Sequence, residues 1–172
     1  MLSLKTEKCF FVLFSLLFVL LLIAYHLFPL NYRMEINNVA NELSVDPSII
    51  ASIIKLESDF DELALSHSGA FGLMQLMPDT ANWLAEQYLI QGTWREPVNN
   101  IKLGTFYFQT LLTVFENDLH HALNAYHMGP NRLKSVLEEN TSFKESNYSS
   151  RIQIYQTIYK ILYNGYFLYP GE

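Results

Sequence analysis

The sequence predicts a mainly α-helical (α+β) domain preceded by one apolar N-terminal helix. Three observations support this prediction. Residues 10–28 contain no charged side chain, apolar residues after residue 32 recur mostly at three- and four-residue spacing, and residues 59–75 interrupt that spacing with serines and glycines. The regular spacing indicates amphipathic helices, whereas the interruption predicts a small β-ribbon or an ordered loop.

The N-terminal apolar segment has the length of a membrane-spanning helix. It reads FFVLFSLLFVLLLIAYHLF and follows Lys5 and Lys8, which favour a cytoplasmic N-terminus. We therefore expect residues 1–30 to be a retained signal anchor that crosses the membrane once, with residues 31–172 on the other side. A cleaved signal peptide is the alternative, but residues 24–30 lack the small-residue pattern of a cleavage site.

The composition argues against several classes of function. Eleven Lys and Arg against 17 Asp and Glu give a net charge of -6, so nucleic acid is not an expected partner. The single cysteine, Cys9, cannot form an intrachain disulfide. The five histidines follow no metal-ligand spacing, and no Ser, His and Asp set accompanies a nucleophile turn. We expect neither a metal nor a cofactor.

Residues 31–172 show no internal repeat and no Gly/Ser linker, so they are predicted to form one domain. Asp46 followed by Pro47 is a typical helix start, with a capping side chain before a proline at the first helical position. Seven helices are predicted in this domain, over residues 35–43, 47–58, 77–88, 98–115, 119–127, 131–138 and 150–163.

Four tyrosines form a stripe along the last predicted helix. Tyr155, Tyr159, Tyr163 and Tyr166 recur at spacings of four, four and three residues, which places them on one side. Core packing is the preferred interpretation of this stripe, and stacking against a sugar is the alternative.

Glu57 occupies an unusual position in the helix from Pro47. Ile50, Ile53 and Ile54 mark an apolar face, and Glu57 is the next member of the same spacing. A carboxyl group on that face would have a raised pKa, because burial disfavours its charged form, and a raised pKa suits a general acid. A helix end that leaves the carboxylate in solvent is the alternative, and position alone favours it slightly.

The segment after Glu57 offers a surface that could accept a ligand. Within residues 69–75, Gly69 and Gly72 permit close approach of the backbone, and the Gln75 amide can both donate and accept hydrogen bonds. An ordinary turn would use the same residue types.

Three stretches taken together match a known family. They read ESDFDELALSHSGAFGLMQLMPDTA over residues 57–81, NNIKLGTFYFQTLL over residues 99–112 and ALNAYHMGP over residues 122–130. In order and spacing they resemble the catalytic domain of soluble-type lytic transglycosylases, which has a lysozyme-like fold similar to goose-type lysozyme. The resemblance covers residues 39–159 and implies that residues 31–172 are a catalytic domain.

The resemblance implies cleavage of the β-1,4 bond between N-acetylmuramic acid and N-acetylglucosamine in bacterial peptidoglycan, leaving 1,6-anhydro ends. A single glutamate, here Glu57, would act as acid and then as base. The chain would be held in a bacterial cell membrane, with its catalytic domain on the periplasmic or extracellular side. A secretion or conjugation machine is a further partner that the family allows.

The family's motifs assign further residues to glycan binding. Tyr126 and Tyr148 are expected to place hydroxyl groups near Glu57, and Ser58 is expected to assist that glutamate. The complete set implied to bind substrate is Ser58, Gly72, Met74, Gln75, Asn100, Tyr126 and Tyr148. Tyr148 follows Glu145 and Ser146 in only a loose match to the family's E-T-R-x-Y-V pattern.

The chain departs from the family beside Tyr126. Asn124 replaces a small residue, and His127 and Met128 replace asparagine and alanine. Two alternatives therefore stay open: a lysozyme-type hydrolase on the same fold, which uses water, and a non-enzymatic wall-binding or assembly module.

Overall fold

The computed structural model describes residues 4–139 and 147–167 and divides the chain into two compact units, Met1–Leu30 and Asn31–Glu172. The first unit contains helix α1 (Leu4–Leu27), whose side chains from Cys9 to Ile23 are exposed. Residues 8–27 are long and apolar enough to cross a membrane. Lys5, Glu145 and Ser146 lie outside the part of the chain whose side chains are described.

The second unit is helical over most of its described residues, as predicted. Its helices are α2 (Arg33–Leu43), α3 (Pro47–Glu57), α4 (Pro78–Gln87), α5 (Pro97–Val114), α6 (Leu119–Met128), α7 (Pro130–Glu138) and α8 (Tyr148–Tyr163), followed by the 3-10 turn Asn164–Tyr166. The predicted start of α8 at Ser150 is wrong by two residues, so Tyr148 is the first residue of that helix.

Helix α3 lies at the centre of the core. Asp46 caps its N-terminus by accepting a hydrogen bond from the Ser48 backbone N–H, as predicted. Every residue of α3 from Pro47 to Ile54 is buried. Ile50, Ile53 and Ile54 are buried as predicted, and the apolar face is wider than expected because the other residues from Pro47 to Ile54 are buried too. The residues of α3 that lead to Glu57 therefore lie in an apolar environment.

Helices α3 and α8 pack against each other in antiparallel directions. At one end the Asp46 carboxylate accepts hydrogen bonds from Gln156 Nε2 at 3.0 Å and pairs with Lys160 Nζ at 2.7 Å. At the other end the Tyr148 hydroxyl donates to Glu57 Oε1 at 2.6 Å. Three polar contacts, two at one end and one at the other, thus fix the register in which the two helices lie side by side.

The segment between α3 and α4 is an ordered loop with minimal β structure, in agreement with the predicted ribbon or loop. Phe71 forms isolated antiparallel bridges with both Leu65 and Leu76. The backbone N–H groups of Phe71 and Leu76 donate to each other's carbonyl oxygens at 3.0 and 3.1 Å. These bonds fold residues 65–76 into a compact unit beside the end of α3.

The tyrosine stripe of α8 is only partly a core element. Tyr159 is completely buried and its ring lies 6.5 Å from that of Phe60, as the core interpretation predicted. Tyr163 is half-buried and stacks on Tyr159, whereas Tyr166 is 53% exposed. The stripe leaves the core because α8 ends at Tyr163 and the chain continues as a 3-10 turn.

Replacing Asp46 should weaken the packing of α3 on α8. We expect Asp46→Ala to lower the free energy of unfolding by about 1–3 kcal/mol, because the helix cap and a charged hydrogen bond are lost together. Hydrogen bonds from Lys160 and Ser48 lower the pKa of Asp46 despite its burial. Its contribution should therefore be present above pH 3.8 and disappear as the pH falls through the lowered pKa.

Urea titrations of the wild type and of Asp46→Ala measure this loss. Asp118→Ala is the matched control. Asp118 also caps a helix, accepting from the His121 backbone N–H at 2.8 Å, but its side chain is 46% exposed and its ion pair is with His121 of the same helix. Asp118→Ala should lower the free energy of unfolding by only about 1 kcal/mol, the typical contribution of a helix cap. Equal losses for the two variants would show that Asp46 acts as a cap alone.

Candidate active site

Glu57 lies at the C-terminal end of α3, where the chain leaves the helix abruptly. Asp59 and Phe60 both adopt left-handed backbone conformations, with φ of 54° and 64°, so the helix cannot continue. The buried Phe60 side chain anchors this turn in the core. Glu57 itself is half-buried, so the predicted alternative of a fully solvated carboxylate is wrong.

The surroundings of Glu57 favour its neutral form. Burial raises the pKa of the Glu57 carboxyl group, and the hydrogen bond from Tyr148 acts in the opposite direction but only partly offsets this effect. The pKa of Tyr148 is raised well above its ordinary value, by burial and then by the nearby Glu57 charge. Tyr148 therefore stays protonated and remains a hydrogen-bond donor to Glu57.

Tyr126 stands near Glu57 but directs its hydroxyl group elsewhere. Its hydroxyl donates to the Met74 carbonyl oxygen at 2.8 Å. Burial and the Glu57 charge together raise the pKa of Tyr126, which is consistent with a short separation between the two side chains. The structure thus brings Tyr126, Tyr148 and Glu57 together, with only Tyr148 bonded to the carboxyl group.

The Asn100 side chain organises the loop opposite these tyrosines. Its Oδ1 accepts from the Met74 backbone N–H at 2.8 Å, and its Nδ2 donates to the Phe71 carbonyl oxygen at 3.1 Å. Gly72 lies directly against the amide, with φ of 82°, and a Cβ atom there would come within 2.7 Å of Asn100 Nδ2. Only glycine fits this position, because the conformation and the contact both exclude a side chain.

Met74 and Asn100, which are predicted to bind substrate, lie inside the protein. Both residues are completely buried. The Met74 side chain fills a space beside Gly104, where an added Cβ would lie 2.5 Å from its sulfur atom. Both residues support the loop from inside, and their contact with a glycan stays a prediction.

Ser58 and Gln75 also have partners within the protein. Ser58 Oγ donates to the Leu73 carbonyl oxygen at 2.8 Å, which ties the end of α3 to the loop. Gln75 Nε2 donates to the carbonyl oxygens of Ala64 and Gly72, both at 3.0 Å. Ser58 is therefore placed to hold the loop, whereas Gln75 also lines an open cleft.

The cleft has a volume of about 350 Å³ and lies between the loop and the junction of α6 with α7. Its walls include Gln75, Tyr126 and His127, together with Tyr107, which the sequence analysis did not single out. The spacing of Tyr107 within its helix is typical of a core residue. In the structure its ring centroid lies 5.3 Å from that of Tyr126. Tyr107 lies on α5 and comes close to residues 122–130 of the chain only because α5 packs on α6.

A larger cleft of about 480 Å³ lies elsewhere, between α4 and the segment before α5, and contains none of the predicted site residues. Across residues 4–139 and 147–167, no three His, Cys, Asp or Glu side chains are grouped so that they could hold a metal ion. Around Glu57, the Tyr148 hydroxyl group donates to the carboxyl group, an arrangement that suits acid and base chemistry.

Known proteins resemble this chain in both sequence and structure. The soluble lytic murein transglycosylase of Salmonella typhimurium is 33% identical over 115 residues, which cover 64% of this chain and 18% of that protein. The membrane-bound lytic murein transglycosylase C of Sodalis glossinidius is 27% identical over 144 residues, covering 74% of this chain and 40% of that protein. The chain thus spans less than half the length of these relatives.

Solved structures confirm the expected lysozyme-like fold. The 70-kDa soluble lytic transglycosylase from Escherichia coli superimposes with a TM-score of 0.73 at 26% identity, covering 80% of this chain and 25% of that one. An inactive glutamate-to-glutamine mutant of lytic transglycosylase Slt from Pseudomonas aeruginosa gives 0.72 at 28% identity, with the same coverage. The family model for the transglycosylase SLT domain matches residues 34–149, and the chain belongs to this family.

Proposed function

We propose that residues 31–172 cleave the β-1,4 bond between N-acetylmuramic acid and N-acetylglucosamine in bacterial peptidoglycan, leaving 1,6-anhydro-muramic ends. One observation carries the proposal: a half-buried glutamate with a raised pKa, held by one phenol, at the end of a core helix. Membership of the transglycosylase family and the names of the relatives support it.

Glu57 is proposed to act twice in this reaction. In its protonated form it gives a proton to the glycosidic oxygen as the bond to the anomeric carbon of muramic acid breaks. The resulting carboxylate then takes the proton of the muramic acid 6-hydroxyl, whose oxygen bonds to the same carbon. The substrate's acetamido group stabilises the intermediate, and Glu57 returns to its starting protonation state.

The neighbouring acids support a mechanism with a single carboxyl group. Ordinary glycosidases use two carboxyl groups on either side of the bond. Here Asp59 pairs with Lys55 and is 71% exposed, Asp61 accepts from a backbone N–H of its own turn, and Glu62 accepts from the Tyr32 hydroxyl. The acids next to Glu57 in the chain thus have other partners.

The proposed location is the outer face of a bacterial cell membrane, with the chain anchored once through α1. The apolar length of residues 8–27 and the membrane-bound relatives support anchoring. The periplasmic or extracellular position of the catalytic unit follows from the substrate that we propose. A secretion or conjugation machine as partner remains a hypothesis that rests on the resemblance alone.

Replacing Glu57 should remove the activity while leaving the binding surface in place. The full chain in detergent should release anhydro-muropeptides from purified peptidoglycan, detected by mass spectrometry. Glu57→Gln should lower their rate of formation by about 100-fold or more, the typical contribution of a general acid. Asp59→Asn is the matched control, since this exposed acid lies only two residues away and should leave the rate unchanged.

Two results would contradict the proposal in different ways. Products with reducing ends from the wild-type chain would indicate a hydrolase that uses water. Absence of any product from wild-type chain, with retained binding to peptidoglycan, would indicate a wall-binding module.

The same substitution tests the electrostatic state of Glu57 through stability. A raised pKa means that the stability contributed by this group is present below pH 4.5 and is lost as the pH rises through the raised value. Glu57→Gln cannot ionise, so its melting temperature relative to wild type should be higher at pH 7 than at pH 4. A difference between the two proteins that does not change with pH would refute the raised pKa.

A further inference from the structure

Tyr148 has contacts beyond the hydrogen bond to Glu57, and the mechanism above does not use them. The His127 imidazole stacks on the Tyr148 ring, with centroids 4.6 Å apart and planes inclined by 13°. His127 is otherwise exposed and belongs to the wall of the 350 Å³ cleft. Its imidazole therefore covers one face of the Tyr148 ring and also lines this cleft.

A second histidine reaches the residue that follows Tyr148. His120 Nδ1 lies 2.9 Å from Ser149 Oγ, and His120 Nε2 lies 3.1 Å from Asn124 Nδ2. An amide nitrogen can only donate, so Nε2 is the acceptor, and the ring proton on Nδ1 donates to Ser149. Both Asn124 and Ser149 are completely buried, so these hydrogen bonds form a buried polar connection between α6 and α8.

The start of α8 depends on such outside contacts. Tyr148 is its first residue, and the preceding Asn147 makes no side-chain capping bond. The first backbone N–H groups of a helix have no partner within the helix, so an uncapped start tends to fray. The hydrogen bond between His120 and Ser149 ties the first turn of α8 to α6, and the stacked His127 restricts the orientation of the Tyr148 ring.

We propose that His120 and His127 are positioning residues that together hold the Tyr148 hydroxyl on the Glu57 carboxyl group. This inference rests on the proposed function, since it concerns the same glutamate. Partial burial and the nearby Arg132 charge lower the pKa of His127, which favours the neutral imidazole as a flat aromatic partner. The departures from the family at Asn124 and His127 thus form one arrangement around Tyr148.

A double-mutant cycle with Tyr148→Phe tests the inference. This variant keeps the ring that stacks on His127 but removes the hydroxyl that reaches Glu57. We expect His127→Ala and His120→Ala each to lower kcat for peptidoglycan cleavage about 3- to 10-fold, with little change in KM. In the Tyr148→Phe background, each histidine substitution should lower kcat by less than about a further 2-fold, near the limit of additivity. The hydroxyl group that the histidines position is already absent there.

Rescue and control variants separate positioning from loss of structure. His127→Phe restores an aromatic stack without ring nitrogens and should recover most of the wild-type kcat. His121→Ala, on the same helix and beside the exposed Asp118, should leave kcat unchanged. His127 is exposed, so its variants should fold even where His120→Ala lowers the melting temperature.

Three outcomes are distinguishable. Losses that multiply in full with that of Tyr148→Phe would overturn the inference. Equal impairment of His127→Phe and His127→Ala would also overturn it, because the ring nitrogens would then contact substrate directly. A wild-type chain that releases no anhydro product would overturn the proposed function instead, and the cycle could still be measured on any hydrolytic product.

Discussion

The antiparallel packing of α3 against α8 is the constraint on which the site depends. Asp46 joins the two helices at one end, through Gln156 and Lys160, and Glu57 meets Tyr148 at the other. A carboxyl group at a helix end would ordinarily turn into water. Here Tyr148 of the opposing helix donates a hydrogen bond to the carboxyl group and burial raises its pKa, so the packing sets both the position and the protonation preference of the acid.

The loop before α4 and the second half of the chain complete this arrangement from the other side. Asn100 holds the loop through backbone groups at Phe71 and Met74, and Tyr126 bonds to the same Met74 residue. Motif residues that look like ligand contacts in the sequence are thus largely internal supports. The cleft is lined by residues that those supports place, such as Gln75 and Tyr107.

The sequence predicted the helices well because their apolar spacing and their Asp-Pro or Gly-Pro starts are local signals. It also singled out Glu57, whose catalytic role stays a prediction, although the burial of α3 extends beyond the face that the spacing indicated. It could not distinguish Met74 and Asn100 as internal supports, because burial depends on contacts with distant segments. The stacking of His127 on Tyr148 was equally hidden, because 21 positions separate them in the chain and only the tertiary fold brings them together.

The central claim is that the fold raises the pKa of Glu57 beside Tyr148 and so favours the neutral form of its carboxyl group. The most direct measurement is an NMR titration of the Glu57 side-chain carboxyl carbon in the full chain, assigned by comparison with Glu57→Gln. We expect a titration midpoint above the ordinary glutamate pKa of 4.5. This midpoint should be lower in Asp46→Ala, because that substitution disturbs the packing of α8 on α3. A midpoint at or below 4.5 in the wild-type chain would contradict it.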